Sequence, residues 1–165
     1  MLIGSAATDD PEGEEVYRSL LDQQEERVIM INREDSLLVN ALQRRAAVIF
    51  QKSLREGFGL TVTEAMWKGT PVIGGNVGGI RYQIEGRVSG FLVSSVEQAA
   101  ECLIQLLRDR DVRERMGRAA RESVRKRFLM TRLLEQYLDL LNAFEIVVRL
   151  DHRRARELRA SPLAP

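Results

Sequence analysis

The sequence predicts an α/β fold: a three-layer αβα sandwich with a five-stranded parallel sheet, followed by a helical C-terminal tail. Three observations point there. Short apolar runs of four or five residues alternate with helical patterns as far as Val93, which is the signature of stacked βα units. Glycine and proline punctuate the changes of pattern, as at Gly69 and Pro71. Beyond Val93 the strand signals stop, and apolar residues recur at helical spacing.

The elements follow in order. Leu2 to Ser5 reads as the first strand. Asp9 or Asp10 can cap the helix after it, with Pro11 in the first turn, where its missing N–H costs nothing, and Val16, Leu20 and Leu21 as the buried stripe. Arg27 to Ile31 is the second strand, and Asp35 or Ser36 starts a helix whose Leu37, Leu38, Ala41 and Leu42 face inward. Ala47 to Gln51 is the third strand. The helix from about Thr61 to Lys68 stops at Gly69, and Pro71 opens the fourth strand, Pro71 to Gly74. Gly90 to Val93 is the fifth. The tail contains Ser95 to Arg108, Asp111 to about Arg127, and a long helix from near Thr131, whose Leu133, Leu134, Tyr137, Leu138 and Leu141 are expected to pack on the sheet. Arg149 to Arg159 is almost wholly charged, and Ser161 to Pro165 reads as a frayed end.

Composition excludes several function classes. With 165 residues, 44% apolar and 30% charged, the chain is an ordinary globular mixture with one expected core. Its 25 Lys and Arg nearly cancel 24 Asp and Glu, so no net field gathers polyanions, and neither nucleic acid nor an anionic membrane is an expected partner. No apolar run approaches the roughly 20 residues that span a bilayer, and no signal peptide is evident, so a cytoplasmic location is expected. The single cysteine, Cys102, allows no intrachain disulfide and no cysteine-based metal cluster; it falls in step with Ala99, Leu103, Leu106 and Leu107 and reads as core. His152 lies among arginines on a solvated face, which argues against a Ser-His-Asp triad. The arginines from Arg108 to Arg127 are interspersed with Asp109, Asp111, Glu114 and Glu122, as on a solvated helix.

Chemistry concentrates in Arg55-Glu56-Gly57-Phe58-Gly59-Leu60-Thr61-Val62-Thr63-Glu64, where the third strand ends and the next helix begins. Ligands of open α/β sheets bind just beyond the carboxyl ends of strands. Gly57 and Gly59 permit a tight turn and close backbone approach, and the helix start offers amides and a partial positive charge to a phosphate. Flanking carboxylates suit a ligand that also carries hydroxyls, because an ionised carboxylate only accepts hydrogen bonds. A structural reading is equally open on spacing alone. Thr61 to Glu64 has the form of a capping box, which would leave Glu64 satisfying backbone donors and Glu56 as a loop acid.

Glu56-Gly57-Phe58-Gly59-Leu60 with Glu64, Ala65 and Met66 resembles the E-x7-E motif of the retaining GT-B glycosyltransferases known as glycosyl transferases group 1. Gly69, Pro71-Val72-Ile73, Gly78-Gly79-Ile80 and Gly90-Phe91-Leu92-Val93 follow in the family's order, so the resemblance covers about Leu2 to Phe144. The string Ser53 to Gly59, with Trp67 and Gly79-Ile80-Arg81-Tyr82-Gln83-Ile84, is similar to trehalose synthases of the glycosyltransferring type, which join a nucleotide-activated glucose to glucose. Arg81-Tyr82-Gln83, where many relatives carry Pro-Glu, is shared with that subgroup and reads as a specificity marker.

The resemblance implies a Rossmann-like donor-binding domain over residues 1–145 and a charged helical extension over 146–165. It implies ADP- or UDP-glucose as the ligand, with no metal or other cofactor. Glu64 would hold the ribose hydroxyls, and Glu56, the candidate catalytic residue, would meet the donor sugar. The backbone of Gly57, Phe58, Gly59 and Leu60 would cradle the diphosphate. Met30, Ile31 and Asn32 would lie near the base, and Gly78 and Gly79 would line the far wall. The family's C-terminal half opens with one further βα unit, carrying an Arg and a Lys for the diphosphate, and follows an acceptor-binding N-terminal domain. The chain is expected to lack both and to be insufficient for transfer. Without that unit the sheet order becomes 2-1-3-4-5. An exposed interdomain surface, with Phe144, Ile146, Val147 and Val148, would favour a homo-oligomer. Two alternatives from other classes are a non-catalytic partner-binding module of the same fold and a flavodoxin-like regulatory domain.

Overall fold

The computed structural model describes residues 1–4, 11–22 and 27–160. The caps expected at Asp9 and Asp10, the end at Ser161 to Pro165, and the side chains of Val16, Ile146, Val147, Val148 and His152 lie outside the described set. The chain divides into two compact units, Met1–Ala46 and Ala47–Pro165.

In the first unit, β1 (Leu2–Gly4) and β2 (Met30–Asn32) form a parallel ladder with Ile3 opposite Ile31. They are joined through α1 (Pro11–Asp22) and followed by α2 (Ser36–Arg45). Asp35 caps α2, its side chain accepting from the Leu38 N–H at 2.9 Å. The burial expected here is not realised. Leu20 and Leu21 are each 42% exposed, Leu37 is 80% exposed and Ala41 is exposed, while Leu38 and Leu42 are half-buried. Two strands of three residues offer too little apolar area to cover a helix stripe.

The second unit holds the core. Its parallel ladder runs β3 (Ile49–Gln51), β4 (Val72–Gly75), β5 (Gly90–Val93), with α3 (Leu60–Trp67) after β3 and the short α4 (Ile80–Gln83) after β4. Three helices complete it: α5 (Val96–Arg108), α6 (Arg110–Arg127) and α7 (Met130–Ala160). The side chains of adjacent strand residues point to opposite faces, and the sheet is covered accordingly. Val72 packs with Val62, Ala65 and Met66 of α3, Ile80 of α4, and Ala120 and Val124 of α6. Ile73 packs with Phe91, Val93, Ala99 and Leu106 on the other face, where Cys102 is half-buried. Burial pushes the Cys102 thiol pKa up.

Two differences from expectation follow from this coverage. Leu133, Leu134, Tyr137, Leu138 and Leu141 of α7 do not pack on the sheet and are 45–62% exposed. Both faces of the three-stranded ladder are already occupied by α3, α4, α5 and α6. Leu107 is 54% exposed at the edge of the α5 stripe that Ala99 and Leu106 centre. The α6 surface is solvated as read, with ion pairs joining Arg110 to Glu114 and Arg125 to Glu122. The pairing of the first strand with the third is not among the described hydrogen bonds, so the strands stand as two ladders. The α7 helix passes residue 145 without a break. No helix among the described residues is long and apolar enough to cross a membrane.

Candidate functional site

The carboxyl ends of β3, β4 and β5 lie on one edge of the parallel ladder, and two loops leave it there. The first, after β3, carries Glu56 to Gly59; the second, after β4, carries Val77 to Gly79 and leads into α4. They meet backbone to backbone. The Gly79 N–H donates to the Gly57 carbonyl at 2.9 Å and to the Glu56 carbonyl at 3.3 Å. A Cβ on Gly78 would stand 1.7 Å from the Glu56 carbonyl oxygen, and one on Gly79 would stand 2.3 Å from that of Gly57. Only glycine at both positions lets the loops approach this closely.

A third carbonyl of the turn, that of Phe58, accepts from Nε2 of Gln83. The bonds to the carbonyls of Glu56, Gly57 and Phe58 therefore all run toward Gly79 and α4, while the Gly59 carbonyl accepts from the Val62 N–H of α3. In a planar trans peptide the N–H points opposite to the C=O. Holding the carbonyls of Glu56, Gly57 and Phe58 toward Gly79 and α4 thus turns the N–H groups of Gly57, Phe58 and Gly59 the other way; Gly57 and Phe58 are exposed there, and Gly59 is buried where the turn meets α3. Gly59 takes a left-handed conformation at φ 82° to end the turn and start α3.

The start of α3 adds to these donors. Its N-cap is Gly59, with no side-chain cap. The capping box is thereby excluded: Thr61 lies inside the helix, and the Thr63 hydroxyl donates instead to the Leu60 carbonyl at 3.0 Å. The helix start presents its positive end beside the turn amides. Glu64 stands exposed one turn further on, with Leu60 exposed at the helix start. Glu56, half-buried, accepts on Oε2 from the Ser53 hydroxyl at 3.3 Å, and Ser53 Oγ accepts from Gln51 Nε2 at 2.9 Å. That chain of bonds orients the Glu56 carboxylate from the strand end. Phe58 is braced by the residue that ends α6, its ring meeting that of Phe128 edge-on at 5.8 Å.

Of the residues singled out in the sequence, Glu56, Gly57, Phe58, Gly59, Gly78 and Gly79 are brought into one cluster, with Leu60 and Glu64 on the helix that leaves it. Met30, Ile31 and Asn32 form β2 in the first unit. Sequence reasoning missed the roles of Ser53 and Gln83. Gln83 carried a legible signal: a polar residue between Ile80 and Ile84, three residues after one buried apolar position and next to another, sits on the inward face of a helix. It is fully buried. Helix α4 itself was missed because four residues are too few to show a period.

Comparison with known proteins identifies the family and the fold. The family model described as glycosyl transferases group 1 matches residues 3–123. A trehalose synthase of Thermococcus litoralis is 46% identical over 149 residues, which are 87% of this chain and 36% of that protein. The chain therefore spans 36% of that relative's length. Among solved structures, a sucrose-phosphate synthase from Thermosynechococcus elongatus superposes with a TM-score of 0.74 at 25% identity, covering 88% of this chain and 38% of that one. Anabaena Alr3699/HepE, solved with UDP and glucose, superposes with a TM-score of 0.71 at 23% identity, covering 85% of this chain and 39% of that one. The glycine-clamped turn, the ordered motifs and these matches converge: the chain belongs to the glycosyl transferases group 1 family and has its mixed α/β, Rossmann-like GT-B fold.

Proposed function

We propose that the chain binds a nucleotide sugar, ADP- or UDP-glucose, as the donor-binding part of a retaining hexosyltransferase of the trehalose synthase type. The observation that carries the reading is a turn whose carbonyls at Glu56, Gly57 and Phe58 are held by Gly79 and Gln83, which turns the amides of Gly57, Phe58 and Gly59 the other way, beside the uncapped start of α3. Such a turn takes the diphosphate without a metal, because amide dipoles and the helix end supply positive potential at no desolvation cost of a full charge. Glu64 accepts from the ribose hydroxyls, and Glu56, oriented by Ser53, accepts from the sugar. Gly78 and Gly79 line the wall. The 46% identity to a trehalose synthase supports glucose as the sugar, and the UDP and glucose held by the Anabaena neighbour support the ligand class.

The test is calorimetric titration of the chain with ADP-glucose and UDP-glucose, beside a Glu64→Ala variant. Saturable binding to one of them is expected, with loss in the variant while its thermal unfolding is unchanged. A well-folded chain that binds neither overturns the reading.

The exposed stripe on α7 favours a second reading, a module of the same fold that binds a partner or a second copy of itself. Leu134, Tyr137, Leu141 and Phe144 are each 58–62% exposed along one helix. A stable oligomer without nucleotide affinity would decide for it.

A further inference from the structure

Gln83 is the one buried side chain among the described residues with an unpaired polar atom: its Oε1 is out of contact with solvent and has no partner. Its Nε2 donates to the Phe58 carbonyl, and this bond settles which end of the amide faces the turn, because a carbonyl can only accept. The position lies between Ile80 and Ile84, both in the apolar core, where an apolar side chain would pack without leaving an acceptor stranded. A stranded acceptor costs stability. What glutamine provides there, and no hydrocarbon could, is a donor aimed at one peptide of the turn.

That peptide is the one that needs holding. It joins Phe58 to Gly59, and its N–H is the last of the turn amides before α3. Gly79 holds the two preceding peptides through the carbonyls of Glu56 and Gly57, but its N–H makes no bond to this one. Gly59, at φ 82°, cannot hold it either, since glycine adopts positive and negative φ with similar ease and so does not itself oppose a flip that reverses the direction of its N–H.

We propose that Gln83 is a positioning residue that locks the Phe58–Gly59 peptide against flipping and so keeps the Gly59 amide facing the ligand. Its effect on affinity rests on the donor-binding reading above; its effect on the turn does not. In the flipped state the Phe58 carbonyl would face the diphosphate and repel it, so the binding-competent fraction of the turn sets the apparent affinity.

The experiment compares the wild-type chain with Gln83→Met and Gln83→Glu. Methionine keeps the volume and removes the donor together with the stranded acceptor. Glutamate presents only acceptors to the Phe58 carbonyl and attracts the flipped Gly59 N–H. Two readouts are taken: NMR relaxation dispersion at the Phe58 and Gly59 amides of the free chain, and calorimetric affinity for UDP-glucose and ADP-glucose. Expected in Gln83→Met are new exchange at those two amides, unchanged or raised thermal stability, and roughly three- to tenfold weaker binding, the scale of one lost hydrogen bond. Gln83→Glu is expected to bind more weakly still. Should it fail to fold, Gln83→Met decides alone. Amides of Gln83→Met that stay as quiet as the wild type's overturn the proposal, as does new exchange with undiminished affinity. A wild-type chain that binds neither nucleotide sugar, while Gln83→Met shows the new exchange, removes the donor reading and leaves the lock standing.

Discussion

At the scale of single residues, the two glycine pairs of the site do different work. Gly78 and Gly79 are glycine because another chain segment occupies the space a Cβ would need, whereas Gly57 has nothing within 4 Å of its Cβ position. Alanine should separate them. Gly79→Ala must displace the carbonyl of Gly57 and is expected to cost about 3 kcal/mol in urea unfolding, with loss of nucleotide-sugar binding. Gly57→Ala is expected to stay within about 0.5 kcal/mol of the wild type. Equal costs would mean that the two loops do not clamp each other. The turn at Glu56 to Gly59 and the helix start that leads to Glu64 were legible because turn chemistry and helix starts are local. The partners that hold them were not, since Gln83 acts 25 positions away from Phe58.

At the scale of elements, two of the helices after Val93, α5 and α6, are held at their starts by short polar side chains, Ser95 accepting from the Gln98 N–H at 3.2 Å and Asp109 from the Val112 N–H at 2.9 Å. These boundaries could be read to within a residue or two, because a cap is decided by neighbours in the chain. Acid should loosen two helices. Arg125, reinforced by Lys126, holds the Glu122 carboxyl of α6 at about 2, and the Leu38 N–H and Arg33 hold Asp35 of α2 below its usual value. Both are depressed in the folded chain, so the stability they add is fully present above the unfolded values, near 4.5 and 3.8, and is lost as pH falls through the folded ones. Thermal unfolding followed from pH 5 to pH 2 is expected to show a falling midpoint, less steep in Glu122→Gln. The slope should also shrink in high salt, because the Glu122 pairs are exposed. A Glu122→Gln slope equal to the wild type's would remove this residue from the acid response.

At the scale of the whole molecule, the stripe of α7 is the largest departure from expectation. Its periodicity was read correctly as one apolar face, but its partner was not the sheet, whose faces are filled by nearer helices. An uncovered stripe of this length is expected to seek another surface. Analytical ultracentrifugation should therefore show concentration-dependent self-association, reduced by the double substitution Leu134→Asp and Leu141→Asp without loss of the core's thermal transition. A strictly monomeric wild-type chain at high concentration would show that the stripe serves no contact between copies.

Sequence by itself determined the alternation of strands and helices, the turn between Glu56 and Glu64, and the family. Each of these is encoded locally, in period, in caps and in the order of short motifs. Only the tertiary structure decided that Gly79 and Gln83 hold the turn, that the capping box is not formed, and that α7 leaves its apolar face exposed. Those outcomes depend on which segments compete for the same backbone groups and the same sheet face, and that competition is settled across the fold, between residues far apart in the chain.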